Sequence, residues 1–467
     1  MSDPNPSGSP AQFRGLLRSF AFDPGPLTAQ LLTAEHLVRI VTEELGTTRG
    51  RIFTPLVTLA TFLGQIVAED HSCQAALDRL IAWRLARGLP ACSADTGGYC
   101  KARQRLPEAL LPRLARDTAD RLGEQAPRGW LFHGRRVVIA DGTTVSRPDT
   151  PGNQAEYPQH GLQKPGCGFP LARIVVLIAL ATGGVLDAAI GAGKGKLTGE
   201  MALVRGLHGR LKRGDIVLAD SYYSSFDEVV TLAGIGVDVV MRQHGGRSVD
   251  FRRGERLGRE DHRVIWQRSR NRPGWMSREE FAALPRVLAM RELRVRVDKP
   301  GFRTRVFVVV TTLLDPAAFP AVELAGLYRQ RWHGELDIRS IKQAMGMDVL
   351  RCQSPAMVRK EIWGHFLVFN LIRRVMAEAA RRHELQPRRL SFQGAGQMIE
   401  GFRVELNRAA SGKMAVLVAG LLGAIATLRA GDRPDRYEPR VRKRRPKAYP
   451  LMHEPRKVFK ERVAKES

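Results

Sequence analysis

The sequence predicts an α/β core set between helical regions, and three patterns carry that expectation. Two short apolar runs, Val137 to Ala140 and Ile216 to Ala219, each lead into an aspartate, Asp141 and Asp220, as buried strands of a sheet do. Between residues 237 and 320, four segments alternate apolar and polar side chains, the period of half-buried strands. On both sides of this region apolar residues recur every three or four positions, the period of helices packed on one face.

In chain order, residues 1–26 are rich in Pro, Ser and Gly and are expected to be disordered. Residues 27–130 read as a helical DNA-binding domain, its helices separated by Gly/Thr and Pro/Ser breaks. Within it Ser93, Asp95 and Thr96 precede a short helix bearing Lys101, Arg103 and Arg105. That helix has the form of a groove-reading second helix, with a basic surface helix as the plain alternative. Residues 131–236 make the first part of the core, with strands at 137–140, 172–180, 185–191 and 216–219. Residues 237–320 read as a β-rich insertion, and 321–385 as the second part of the core, containing a helix with Glu335. A helical C-terminal region (386–430) and a flexible basic tail (431–467) complete the chain.

Charge narrows the partners. Lys and Arg number 74 against 47 Asp and Glu, a formal net charge of +27, which favours a polyanion. Arg dominates, and its planar fork suits phosphate and guanine edges, so nucleic acid is preferred over an anionic membrane. The longest apolar stretches, from Ile174 and from Met414, are short or interrupted and do not read as membrane spans. No basic region followed by an apolar run opens the chain, so the cytoplasm is the expected location. The five cysteines include no C-x-x-C pair and give no disulfide framework; His71, Cys73, Cys92 and Cys100 fit no standard zinc spacing.

Asp141 and Asp220, at strand ends, would be held rigidly at the mouth of a sheet, although either alone also suits a turn or helix cap. On one continuous helix Tyr328, Arg331 and Lys342 would project within roughly 60° of Glu335. A solvated face with an Arg331–Glu335 pair is the alternative. If the three acids meet, their repulsion requires a cation, and oxygen-only ligation selects Mg²⁺ or Mn²⁺. A pair of such ions would suit phosphodiester cleavage or transfer. Tyr328, Arg331 and Lys342 would then hold phosphates.

The run Tyr328-x2-Arg331-x3-Glu335-x6-Lys342, preceded by Asp141 and Asp220 in that order, resembles the DDE transposases of the insertion-sequence-4 kind. The resemblance covers about residues 135–374. It implies a ribonuclease-H-like catalytic domain that binds double-stranded DNA at the inverted-repeat ends of an element, cuts there with water, and joins the freed 3′-hydroxyl to target DNA. It also implies a homodimer on DNA and, in some members, a hairpin at the element's end. An extruded base needs an aromatic surface, for which Trp266, and after it Trp275, are the candidates. Arg242 and His244 are DNA contacts or plain surface-loop residues. A nuclease without strand transfer, and a non-catalytic DNA-binding inhibitor of transposition, are the competing readings.

Overall fold

The computed structural model describes residues 39–41, 43–44, 52–195, 198–296, 306–409, 411–431 and 450–466. The expected disordered N-terminus lies outside them. Nine strands form one sheet: β1 (Val137–Ser146), β2 (Leu171–Ala179), β3 (Val185–Ala192), β4 (Ile216–Ala219), β5 (Asp238–Arg242), β6 (Glu255–Gly258), β7 (Asp261–Gln267), β8 (Val287–Arg296) and β9 (Val306–Thr311). Their order is β3-β2-β1-β4-β5-β9-β8-β7-β6. The three central strands β1, β4 and β5 run parallel to one another, and β2 and β9 flank them antiparallel.

The helices run, in chain order, α1 (Pro55–Val67), α2 (Cys73–Leu85), α3 (Gly97–Arg105), α4 (Leu110–Glu124), α5 (Pro151–Glu156), α6 (Glu200–Arg205), α7 (Phe226–Gly234), α8 (Arg278–Ala283), α9 (Ala321–Arg329), α10 (Trp332–Arg339), α11 (Pro355–Arg382), α12 (Phe392–Arg408), α13 (Ser411–Thr427) and α14 (Arg456–Glu466). Their starts follow from local chemistry. Thr54, Ser72 and Ser225 each accept an amide of the first turn of α1, α2 and α7, and Ser277 with Glu280 forms a capping box on α8,.

Two compact units divide the chain. One comprises residues 1–131, 181–187 and 337–430, the other 132–180, 188–336 and 431–467. The boundary crosses α10 between Leu336 and Asp337. In the first unit α11 is the central element, packed against α1, α4 and α13 through buried Phe366, Val368 and Phe369. Asn370, fully buried, accepts from the Val185 amide (2.7 Å) and donates to the carbonyls of Ala115 and Val185. Asp337, two residues past Glu335, is clamped by Arg373 and by Arg388 (2.6 Å), so the C-terminal end of α10 is anchored in this unit. Asp337 is 1% exposed, and removing both arginines would leave a buried carboxylate without a counter-ion.

The second unit is built around the sheet. Here α6 packs on β2, and α7 and α9 on β5. Two expectations change. β5, grouped above with the insertion, pairs in parallel with β4; the β-rich stretch therefore continues the same sheet through β9, because β9 pairs with β5. Part of the tail expected to be flexible is helical: α14 contains no Gly or Pro and places Lys457, Glu461 and Lys465 at four-residue spacing, a favourable series of helical pairs. Residues 432–449 of that tail lie outside the described residues.

Candidate active site

The parallel register of β1 and β4 determines where the two aspartates sit. Ile139 is level with Leu218, and Asp141 and Asp220 each follow two residues on, Asp141 within β1 and Asp220 just past the end of β4. Asp141 is not at a strand end, as its run suggested: β1 continues to Ser146 by pairing with β2 alone. β4 stops at Ala219, which leaves the β4 side of Asp141 open. Asp220 is still extended and its carboxylate accepts the Tyr222 amide at 2.8 Å, while Asp141 Oδ1 accepts the Gly142 amide at 2.9 Å.

Glu335 arrives from α10, and a glycine makes the approach possible. A Cβ on Gly334 would lie 2.8 Å from Ile139 Cγ2 and 3.4 Å from Asp141 Oδ2; the bare Cα lets the helix rest on β1. Arg331 stands between the two acids, with Nη2 2.6 Å from Glu335 Oε1 and Nη1 3.9 Å from Asp141 Oδ2. Burial works against its charge, but the bond to Glu335 and the charges of Tyr328, Glu335 and Asp141 hold its pKa above the ordinary arginine value. Asp141 is pushed up to about 6, first by burial and then by the charges of Glu335 and Asp220; Arg331 and the Gly142 amide oppose the rise. These acids therefore sense one another.

The continuous helix assumed for the signature is not what forms. Tyr328 belongs to α9, and the chain tightens between Gln330 and Gly334, where the amides of Gln330, Arg331, His333 and Gly334 each donate three residues back,. Beyond α10, residues Ser340–Ala344 form a π-helical turn containing Lys342. Lys342 belongs to the first unit. Tyr328 is 8% exposed, its hydroxyl pKa raised by burial and lowered by Arg331 and Arg242. Arg242, exposed at the end of β5, thus stands near it, with its guanidinium 6.0 Å from the Phe307 ring that packs on Tyr328.

Other named residues are placed differently from their expected roles. Trp266 is 3% exposed, its Nε1 donates to Glu292 (2.8 Å), and Arg247 covers its ring at 3.8 Å; no face is open to a base. Trp275 is half-buried under Arg205. Arg103 is buried against Tyr99 and Phe62 and donates to Gln65 and Cys73, so of the three basic residues of that helix Lys101 and Arg105 are exposed. His244 is exposed, and its Nδ1 accepts the Gly246 amide. The open rings beside the acids are Tyr222 (52% exposed) and Trp332 (45%). Both went unnoticed in the sequence, although each lies within three residues of a candidate acid.

The donors present are carboxylate oxygens, which suit a hard divalent ion, and a cation beside Asp141 would offset the burial and the neighbouring charges that raise its pKa. Among the described residues, however, no three His, Cys, Asp or Glu side chains are drawn together closely enough to hold one. Without an ion the acids repel, and Arg331 supplies the positive charge. The same holds for the zinc spacing considered above. No described helix is long and apolar enough to cross a membrane.

Residues 132–371 match the family described as Transposase DDE domain. The transposase InsG for insertion sequence element IS4 of Escherichia coli (strain K12) is 28% identical over 362 residues, 75% of this chain and 77% of that protein. The cryo-EM structure of the piggyBac transposase synaptic complex with hairpin DNA aligns with 86% of this chain and 85% of its own, at a TM-score of 0.43 and 10% identity. With the transposase domain matched over more than half of its length, the chain belongs to the DDE transposases, enzymes that cleave and transfer DNA strands with divalent metal ions.

Proposed function

We propose that this transposase binds the inverted-repeat ends of an insertion sequence as a homodimer, cuts them, and joins the freed 3′-hydroxyl to target DNA through Asp141, Asp220 and Glu335 on a ribonuclease-H-like core. The placement of Asp141 and Asp220 two residues beyond a level pair of parallel strands, with α10 laid on β1 at Gly334, carries this reading. A divalent ion, Mg²⁺ or Mn²⁺ and two of them by the chemistry of in-line displacement, would be held by these three carboxylates and would activate the attacking oxygen and stabilise the leaving one.

The chain's own residues do the rest. Asp141 is fixed by the Gly142 amide and Asp220 by the Tyr222 amide, so neither carboxylate must reorder when the ion arrives. Arg331 exchanges Glu335 for a phosphate of the strand being cut, where its fork makes two bonds. Tyr328 and Arg242 line the approach to it, and Lys342, Lys101 and Arg105 add phosphate contacts. If the end passes through a hairpin, the exposed rings of Tyr222 and Trp332 are the surfaces that suit an unstacked base.

The test is a cleavage and strand-transfer assay on DNA carrying the element's ends, with Mg²⁺ or Mn²⁺. Wild type should cut and join, and Asp141→Ala and Glu335→Ala should bind the same DNA without cutting. Binding without cutting by all three would refute the reading, and cutting without joined products would reduce it to a nuclease.

A further inference from the structure

Three cysteines of the first unit gather around Arg103. Cys73 opens α2, Cys100 lies in α3, and Cys352 precedes α11; each is a free thiol. α2 and α3 pack together, and one guanidinium nitrogen holds two of the sulfurs. Arg103 Nη2 donates to Cys73 Sγ at 3.1 Å and to Cys100 Sγ at 3.7 Å. Two thiols on a single nitrogen are close neighbours, and a hydrogen bond joins them.

The surroundings give these thiols unequal roles. Cys73 Sγ also accepts from Gln65 Nε2 at 3.7 Å, so two donors, one of them a cation, aim at this sulfur from α3 and α1. Its place at the first position of α2 adds the positive end of a 13-residue helix, and all three features favour a thiolate. Burial raises the Cys73 pKa, Arg103 and then Gln65 oppose the rise, and Cys100 adds to it. Cys352 differs. It is 8% exposed, and burial followed by the charge of Glu361 pushes its thiol well up, so it keeps its proton. Cys73 and Cys100 are only half-buried, which leaves them open to a small oxidant.

We propose that Cys73 and Cys100 are a redox couple for a hydroperoxide, Cys73 as the attacking sulfur and Cys100 as the one that resolves it. The couple is independent of strand cutting. Cys73 Sγ, as thiolate, takes the outer oxygen of the hydroperoxide while the O–O bond breaks. The bonding pair leaves on the other oxygen, which collects the proton given up by Cys73 and departs as an alcohol, or as water from hydrogen peroxide. Cys100 Sγ then attacks the sulfenic sulfur of Cys73. The S–S bond forms, the S–O bond breaks, and hydroxide departs as water with the Cys100 proton. Two electrons have passed from the two thiols to the hydroperoxide, and a dithiol reductant returns them.

The experiment treats the reduced full chain with equimolar hydrogen peroxide, removes the excess with catalase, and counts free thiols with a chromogenic disulfide. The count should fall from five to three and recover with dithiothreitol, and peptide mass spectrometry should find Cys73 joined to Cys100. Cys100→Ser should stop at the sulfenic acid, which the carbon acid dimedone labels on Cys73. Cys73→Ser should give neither a disulfide nor a label on Cys100. Five thiols left in the wild type, or a bridge from Cys73 to Cys352 in place of Cys100, would overturn the couple; a dimedone label on Cys100 in Cys73→Ser would overturn the roles assigned to the two sulfurs. The thiol count and the peptide map need only the wild type, so they decide the matter even if a serine variant does not fold.

Discussion

Replacing Asp141 by Asn should remove strand cleavage and, in the metal-free protein, raise stability. The folded chain pushes this carboxyl from an ordinary 3.8 up to about 6, roughly two units, or up to ~3 kcal/mol at ~1.4 kcal/mol per unit. The side chain is 16% exposed, so solvent screening removes only part, and a gain between ~1 and ~3 kcal/mol is expected. Since the folded value lies above the unfolded one, the folded protein keeps its proton between about pH 4 and 6. Ionisation therefore costs stability progressively across that window, and the full cost is present above it. Asn cannot ionise and keeps an acceptor for the Gly142 amide. Thermal melts in chelator at pH 7.5 should place Asp141→Asn above wild type by on the order of 5 °C, and the gap should close near pH 4. Millimolar Mg²⁺ should narrow it at pH 7.5, because only wild type gains from binding the ion. A variant no more stable than wild type at pH 7.5, or a gap independent of pH, would refute the cost of ionising this buried carboxyl.

Two further outcomes test the placement of other residues. Gly334→Ala puts a methyl 2.8 Å from Ile139 Cγ2 and lifts α10 from β1; cleavage should fall by about 100-fold, as expected for a catalytic group displaced by ~1 Å, with end binding in a gel-shift assay little changed. Arg103→Ala should lower stability by ~2 kcal/mol or more in denaturant titration, because it empties a buried site and strips Gln65 and Tyr99 of a partner,. Lys101→Ala and Arg105→Ala should instead leave stability intact and each reduce the salt slope of DNA binding by about one; the reverse pattern would restore Arg103 as a DNA contact.

Much of the site was legible because its chemistry is local in the chain. A β-branched run leading into an aspartate can be read twice, at Val137 to Asp141 and Ile216 to Asp220, and the spacing from Tyr328 to Lys342 marks Glu335. Strand identity in the β-rich stretch followed from alternation, and β5, β7, β8 and β9 all form. What periodicity could not supply was continuity: a regular helix was extended through 328–342, whereas three-residue-back bonds at 330–334 and a π turn at 340–344 interrupt it. Nor does residue type reveal burial. Arg103 and Trp266 carry the groups that contact DNA elsewhere, but a guanidinium over an aromatic ring and an indole N–H on a buried Glu are equally good core arrangements.

The sequence by itself singled out the candidate acids and their order, the basic charge and the kinds of element that bear them, because periodicity, turn residues and charge are properties of neighbours along the chain. The tertiary structure alone decided that Asp141 and Asp220 follow a level pair, Ile139 and Leu218, on parallel strands, that Arg331 stands between Asp141 and Glu335, and that Gly334 seats α10 on β1. Each of these depends on register or on the space left by a missing Cβ, and both are relations between segments far apart in sequence that no local pattern encodes.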